Sequence, residues 1–381
     1  VYSGPDTLRF APQNAHDGVI RPADVSVSYR FRDWLGLTVG QFNVPFSQEN
    51  RTREPFRSTR ERTIGNRFVA PDAKDLGMIV WGDVADEAFS YELGVFNGDG
   101  QDRPIADERV DLIGRLYSRP LRSLGEGTFY EKAQIGLSAR HGQRDQGFIT
   151  YDVPTVASPH GFVFFQPGYV DSLGRVTHVL PSGAQNAIGG ELRLPFDLPS
   201  GRGLDLRAEG YYLANNTREA VDGFVATNTE RFGRILGVGW SAIASFWAVG
   251  DSFVHEPIAT QRPVELDLEH DAPVLSGLEI FLVASGVTAN YSGATREGSV
   301  PDANTPDANY SVTQFGGGIT YWYNWNFRAT VDYNGFFVPS ATDPTANMAI
   351  VPDNMVVDPV TGAPGSGELH HEIGARAAVT F

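Results

Sequence analysis

The sequence contains no cysteine in 381 residues. Disulfide scaffolding, thiolate zinc sites and cysteine nucleophiles are thereby excluded. Long apolar runs are missing too. A membrane helix needs about 18 consecutive apolar residues, and the longest comparable stretch, 280–287, already contains Ser285 and Gly286. Lysine is nearly absent, with Lys74 and Lys132 the only two, so arginine carries the basic charge. No export signal stands at Val1, where the chain opens on Val-Tyr-Ser-Gly-Pro. The expectation is that a signal was removed or that an N-terminal portion precedes this sequence. No linker divides the chain, which reads as one domain over 1–381.

What is present is rhythm. Val25, Val27, Tyr29 and Phe31 alternate with Ser26, Ser28, Arg30 and Arg32, and Leu35, Leu37 and Val39 with Gly36, Thr38 and Gly40. Period-two alternation puts each set on its own face of a strand. The pattern returns at 75–83, 89–97, 109–117, 129–140, 187–194, 204–213, 232–244, 246–255, 278–290, 311–323 and 327–337. It ends with Ile373, Ala375, Ala377, Val379 and Phe381 against Glu372, Gly374, Arg376, Ala378 and Thr380. Short links such as 323–326 contrast with long excursions at 142–185, 291–309 and 339–367. Many alternating strands, short turns on one side and long loops on the other predict an all-β fold, a transmembrane antiparallel β-barrel. Trp34, Trp81, Trp322, Trp325, Tyr321 and Tyr323 near strand ends are expected to form the aromatic belts.

The polar face repeatedly carries charge: Arg30, Arg32, Arg115, Arg140, Arg193, Arg207, Arg328 and Arg376, with Glu92, Asp111, Glu191, Asp205, Glu209, Asp332 and Glu372. Taken singly, such residues read as cross-strand ion pairs. The segment 51–67 differs. Arg51, Arg53, Arg57, Arg60, Arg62 and Arg67 face only Glu54 and Glu61, a local charge of +4 in a chain whose net charge is −16. Six arginines cannot all be paired by two local acids, and arginine at a constriction sets anion selectivity. The segment 47–73 is therefore expected to fold inward as a constriction loop.

The residues 37–49, Leu-Thr-Val-Gly-Gln-Phe-Asn-Val-Pro-Phe-Ser-Gln-Glu, resemble the phosphate-selective porin O/P family. So do Arg60-Glu61-Arg62, the run Phe68-Val69-Ala70-Pro71-Asp72-Ala73-Lys74-Asp75-Leu76-Gly77, the run Tyr91-Glu92-Leu93-Gly94-Val95-Phe96-Asn97-Gly98-Asp99-Gly100, and Gly114-Arg115-Leu116. The resemblance covers roughly 25–117; the remainder matches only as generic barrel. It implies a 16-stranded homotrimeric porin of a Gram-negative-type outer membrane, meeting lipid and lipopolysaccharide. It also implies passage of small anions such as phosphate, guided by arginines of the inward loop and wall, here Arg51, Arg53, Arg57, Arg60, Arg62, Arg67, Arg30, Arg32 and Arg115. Family members use lysines as well, and this chain has almost none.

Three rival readings stand beside this one. In a general diffusion porin the same arginines would only hold the loop against acidic wall residues. In an envelope scaffold the acidic loops 291–309 and 339–367 would dock a partner or bridge calcium to a lipid surface. A catalytic barrel lacks support: His370-His371 point to opposite faces, and His141, His160, His178 and His255 have no nucleophile or carboxylate partner by spacing. Gly316-Gly317-Gly318 lacks the strand–turn–helix setting of a phosphate-binding loop and reads as a bend in a strand. No catalytic residue, metal site or cofactor is expected, and the acidic balance argues against nucleic acid.

Overall fold

The computed structural model describes residues 25–52, 57–71, 73–85, 88–101, 108–124, 133–144, 156–158, 163–165, 168–170, 176–198, 202–221, 231–249, 277–295, 308–323, 327–338 and 368–379. Across them the chain is nearly all β. In order run β1 (Val25–Arg32), β2 (Leu35–Asn43), β3 (Lys74–Val84), β4 (Phe89–Phe96), β5 (Asp111–Ser118) and β6 (Gln134–Arg144). Three short strands follow, β7 (Val156–Ala157), β8 (Val163–Phe165) and β9 (Gly168–Val170). The long set comprises β10 (Val176–Leu198), β11 (Arg202–Val221), β12 (Arg231–Val249), β13 (Gly277–Thr295), β14 (Ala308–Trp322), β15 (Phe327–Val338) and β16 (Glu368–Val379). Two short helices, α1 (Gln48–Arg51) and α2 (Ile64–Val69), lie between β2 and β3.

One antiparallel sheet takes in all the long strands, in the order β1-β2-β3-β4-β5-β6-β10-β11-β12-β13-β14-β15-β16, with β9 added beside β10. Neighbours in sequence are neighbours in space except where β7–β9 intervene; β7 and β8 pair only with each other. β1 and β16 stand at the two ends of the path.

Burial along most of the long strands inverts that of a water-soluble protein, while β1 is exposed on both faces. The apolar set is exposed: Val39, Leu93, Leu112, Leu137, Ile188, Val238, Leu282, Ile319, Val331 and Ile373. The charged set is buried on the opposite face: Glu92, Arg115, Glu191, Arg193, Asp205, Glu209, Arg328 and Asp332. Burying apolar surface is worth about 25 cal/mol per Å². Water would therefore penalise this arrangement, whereas lipid tails would not. No described helix is long and apolar enough to cross a membrane. β10–β13 run 19–23 residues, more than the about 9–11 that a strand needs to cross a bilayer.

Four expectations need correction or placement. The segments 232–244 and 246–255 are not two strands. β12 runs unbroken through Ser245, which pairs in register with Phe281 and donates its hydroxyl to Glu279 on the inner face. The stretch 142–185 is not wholly loop, since β7–β9 and the first ten residues of β10 lie in it. Trp81 and Trp322 are not belt residues: both are inward and buried, at 2% and 3% exposure, while Trp34, Tyr321 and Tyr323 face out. The in-phase neighbours Ile79 and Asp83 place Trp81, and Thr320 places Trp322. Trp325, Phe381, the second half of 246–255, most of 291–309 and all of 339–367 lie outside the described residues.

Candidate functional site

The arginine segment folds onto the polar face of the sheet. Its entry depends on Gly40, at φ +136°, where a Cβ would overlap the Val25 carbonyl of the paired strand. That left-handed geometry is open to glycine at no steric cost, and it aims Phe42 inward, edge-on to Phe96 at 5.5 Å. Ser47 has a positive φ of 68° without being glycine. It is held there by three bonds: its amide donates to Ser138 Oγ (2.9 Å), and its Oγ accepts from Asn50 N (3.1 Å) and Asn66 Nδ2 (2.7 Å). Such strain persists only where the surroundings over-determine it.

Helices of four and six residues are unstable alone; here the wall holds them. The Gln48 and Glu49 amides at the start of α1 donate to Glu209 at 3.1 and 2.7 Å. At the start of α2, Ile64 N donates to Gln314 Oε1 and Gly65 N to Ser285 Oγ, both at 3.0 Å. The two helices are joined by Glu49, which accepts from Thr63 N (2.6 Å) and Thr63 Oγ1 (2.8 Å). Burial pushes the Glu49 carboxyl above its ordinary range, although these bonds and the nearby Arg57 and Arg62 oppose the shift.

α2 sits in a trough. The inner row of β12 reads Ile235, Gly237, Gly239, Ser241, Ile243, with glycine where the helix passes. A Cβ on Gly239 would lie 2.7 Å from Gly65 O, and one on Gly237 would overlap the Phe68 ring.

The expected site residues divide by what they touch. Arg51, 1% exposed, grips Glu92 with Nε (3.1 Å) and Nη2, and donates Nη1 to Asn43 O at 2.6 Å. Arg115 takes Glu191 in a fork at 2.9 and 2.6 Å and approaches Glu92 at 3.6 Å. Together they form a buried chain, Arg51–Glu92–Arg115–Glu191, running from the segment into the wall. Arg60 donates Nε to Asp332 at 3.0 Å. Arg62 is met by neutral acceptors: Asn50 Oδ1 and Asn66 Oδ1 at 3.1 Å, Ala70 O at 2.6 Å and Pro71 O at 3.0 Å. Arg67 donates to Ser158 O at 3.0 Å, next to β7, and burial lowers its pKa from the usual value. The Arg57 carbonyl accepts from Arg328 Nη1 at 2.6 Å. Arg30 approaches Asp83 at 3.4 Å and lies over Trp81, and Arg32 is exposed on β1. Arg53 lies outside the described residues.

Counting local acids therefore understates the partners. Glu92 and Asp332 lie 41 and 272 residues away from the arginines they meet, separations that no window along the chain reveals. Like charges also sit directly opposite on β10 and β11, Glu191 with Glu209 and Arg193 with Arg207. Such rungs destabilise a sheet unless third parties intervene. Here Arg115 takes Glu191, while Arg193 reaches diagonally and Arg207 along its own strand to Asp205, at 3.1 and 2.6 Å. Sequence reasoning missed Gln48, Gly237 and Gly239 and read Glu209 only as a charge of the polar face; the in-phase glycines of β12 were the available signal. Part of the excursion after β6 also turns inward, with Phe164 against Phe336 (5.1 Å) and His370 (5.8 Å).

Among the solved structures similar to the chain are two of one outer membrane protein. One is OmpT, an in-vitro folded outer membrane protein of Vibrio cholerae, in a trimer form, with TM-score 0.42, 8% identity, and 91% of this chain and 77% of that chain covered. The other is OmpT of Vibrio cholerae, in-vitro folded, with TM-score 0.41, 8% identity and 91% and 76% covered. No curated protein matches. Residues 9–111, which include the whole inward segment, match the model of the family of phosphate-selective porins O and P.

Proposed function

We propose that the sheet closes into one outer-membrane barrel with 47–73 as its constriction, and that small anions such as phosphate diffuse passively through it. One observation carries the reading: a buried, arginine-rich segment lies across the charged face of a sheet whose other face is apolar and exposed. Arg62 keeps its charge among neutral acceptors, and Arg57 forms no ion pair with an acid among the described residues. Guanidinium groups stay protonated at any relevant pH and offer fork-shaped donors to oxyanions. Several weak positions in series let an anion exchange hydration for protein contacts and still leave. The homotrimer and the lipopolysaccharide contact belong to this reading through the family resemblance.

A second reading, diffusion without charge preference, is favoured by the closed pairs Arg51–Glu92 and Arg60–Asp332, which leave those two arginines as struts. The reversal potential of the purified protein in a planar bilayer under a KCl gradient separates the two, with phosphate then titrated against the chloride current. Arg57→Ala is the cleanest variant, because Arg60 also fastens the segment. A reduced anion preference is expected. Unchanged selectivity would remove Arg57 from the path, and a reversal potential near zero in the parent protein would establish the second reading.

A further inference from the structure

Between α1, residues 57–59 and the inner rows of β11 and β12 lies a recess open to the lumen, with room at its floor for a group the size of a water molecule. Gln48 lines it and is 1% exposed, yet among the described residues neither Oε1 nor Nε2 has a hydrogen-bond partner. The buried Nε of Arg57, also in the lining, has none either. Glu49, Glu209 and Arg207 bring charge to the lining, and Thr52, Ser58, Thr59 and Ser241 bring hydroxyls. Buried polar groups left unpaired cost about 1–3 kcal/mol each, so three in one recess point to an occupant.

The chemistry of the orphans selects it. Gln48 Oε1 needs a donor, while Gln48 Nε2 and Arg57 Nε need acceptors. A hydrogen phosphate dianion carries one donor and several acceptors, but it is several times larger than the water-sized floor, and it would bring its charge against Glu49 and Glu209 as well as towards Arg57 and Arg207. An ammonium group offers donors only and leaves both N–H groups unmet. A hydroxyl donates once and accepts twice at the size of the floor. We propose that this recess is a hydroxyl subsite for neutral polyhydroxylated solutes, a ligand class beyond the anions of the reading above. Glu49 and Glu209, held by neutral donors, and Arg57 present further acceptors and donors at the mouth for neighbouring hydroxyls.

The test uses the full chain folded in detergent. Saturation-transfer NMR is recorded with sorbitol and, as a size-matched probe without hydroxyls, a dimethyl-capped oligoethylene glycol. Transfer to sorbitol and not to the capped glycol is expected. Gln48→Met, similar in length but without the amide, should weaken sorbitol binding about fivefold for each hydrogen bond lost, and Gln48→Glu should restore part of it. Equal transfer to both probes, or sorbitol transfer indifferent to Gln48→Met, overturns the proposal. So does absence of any transfer, which would mean that the recess holds water alone. The same samples are then measured in bilayers. Loss of conductance with transfer retained would sink the porin reading and leave this one standing, and conductance without transfer would do the reverse.

Discussion

Removing Arg51 isolates the role of the buried ion chain. In Arg51→Met the aliphatic length is kept, while the grip on Glu92 and the bond to the Asn43 carbonyl are lost. Both partners of the pair are 1% exposed. Breaking one side of such a pair costs about 3–5 kcal/mol, because the remaining charge stays buried. Arg115, at 3.6 Å from Glu92, softens the loss, so the lower end is expected. At about 1.4 kcal/mol per decade, that shifts the balance between docked and released segment by roughly two orders of magnitude. Hydrogen exchange across 47–69 and open-channel noise in a bilayer both read this equilibrium. Arg51→Met should exchange faster there and flicker, with the strands β10–β14 unchanged. Arg51→Met combined with Glu92→Leu is the control, since replacing both charges by apolar groups is often neutral. If the double variant releases the segment as readily as the single one, the pair is not what holds it. If the single variant behaves as the parent, the chain from Arg51 to Glu191 carries no anchoring energy.

Further expectations follow from the packing. Gly239→Ala puts a methyl 2.7 Å from Gly65 O and should lift α2 from β12, seen as raised conductance and faster exchange at 64–69, with an overpacking cost of about 1–3 kcal/mol. Gly40→Ala, strained by φ +136° and by contact with Val25 O, should lower the yield of folded barrel on heat-modifiable gel migration. Glu49 supplies a pH signature. Its folded pKa lies above the ordinary value, so its contribution to docking is full below about 4.5 and is lost as pH rises through the folded pKa. Relative to the parent, Glu49→Gln should flatten the acid-side gain in protection of 47–69; an identical pH profile would exclude Glu49 as the titrating group.

Much of the wall was legible because alternation is local. Leu35–Asn43 and Glu368–Val379 announce their two faces in their own residues, and the structure keeps those faces, while Val25–Arg32 forms the expected strand but is exposed on both sides. Errors arose where residue type was read without phase. Trp81 and Trp322 looked like belt residues by kind, but their parity with Asp83 and Thr320 fixes them inside. Ser245 looked like a break because it is polar, although a polar residue in the lumen phase is what the pattern calls for. The two helices left no trace in the sequence, since four and six residues cannot display a 3.6-residue period. Partners such as Asp332 for Arg60 were invisible for a different reason: only the folding of the segment onto the face of the sheet brings them together. Arg51, Arg60 and Arg62 were found as a cluster, but their work as struts depends on acids and carbonyls that the three-dimensional fold supplies.

The order of the sheet carries a parity rule. Thirteen strands alternate in direction along the path from β1 to β16, so the first and last point the same way. A seam that joined them directly would be a parallel one, with slanted hydrogen bonds instead of the perpendicular pairs found at every other rung. An antiparallel seam admits only an odd number of additional crossings between β1 and β16. One makes fourteen strands and three make sixteen, the number that the family resemblance implies; fifteen is forbidden to an antiparallel barrel.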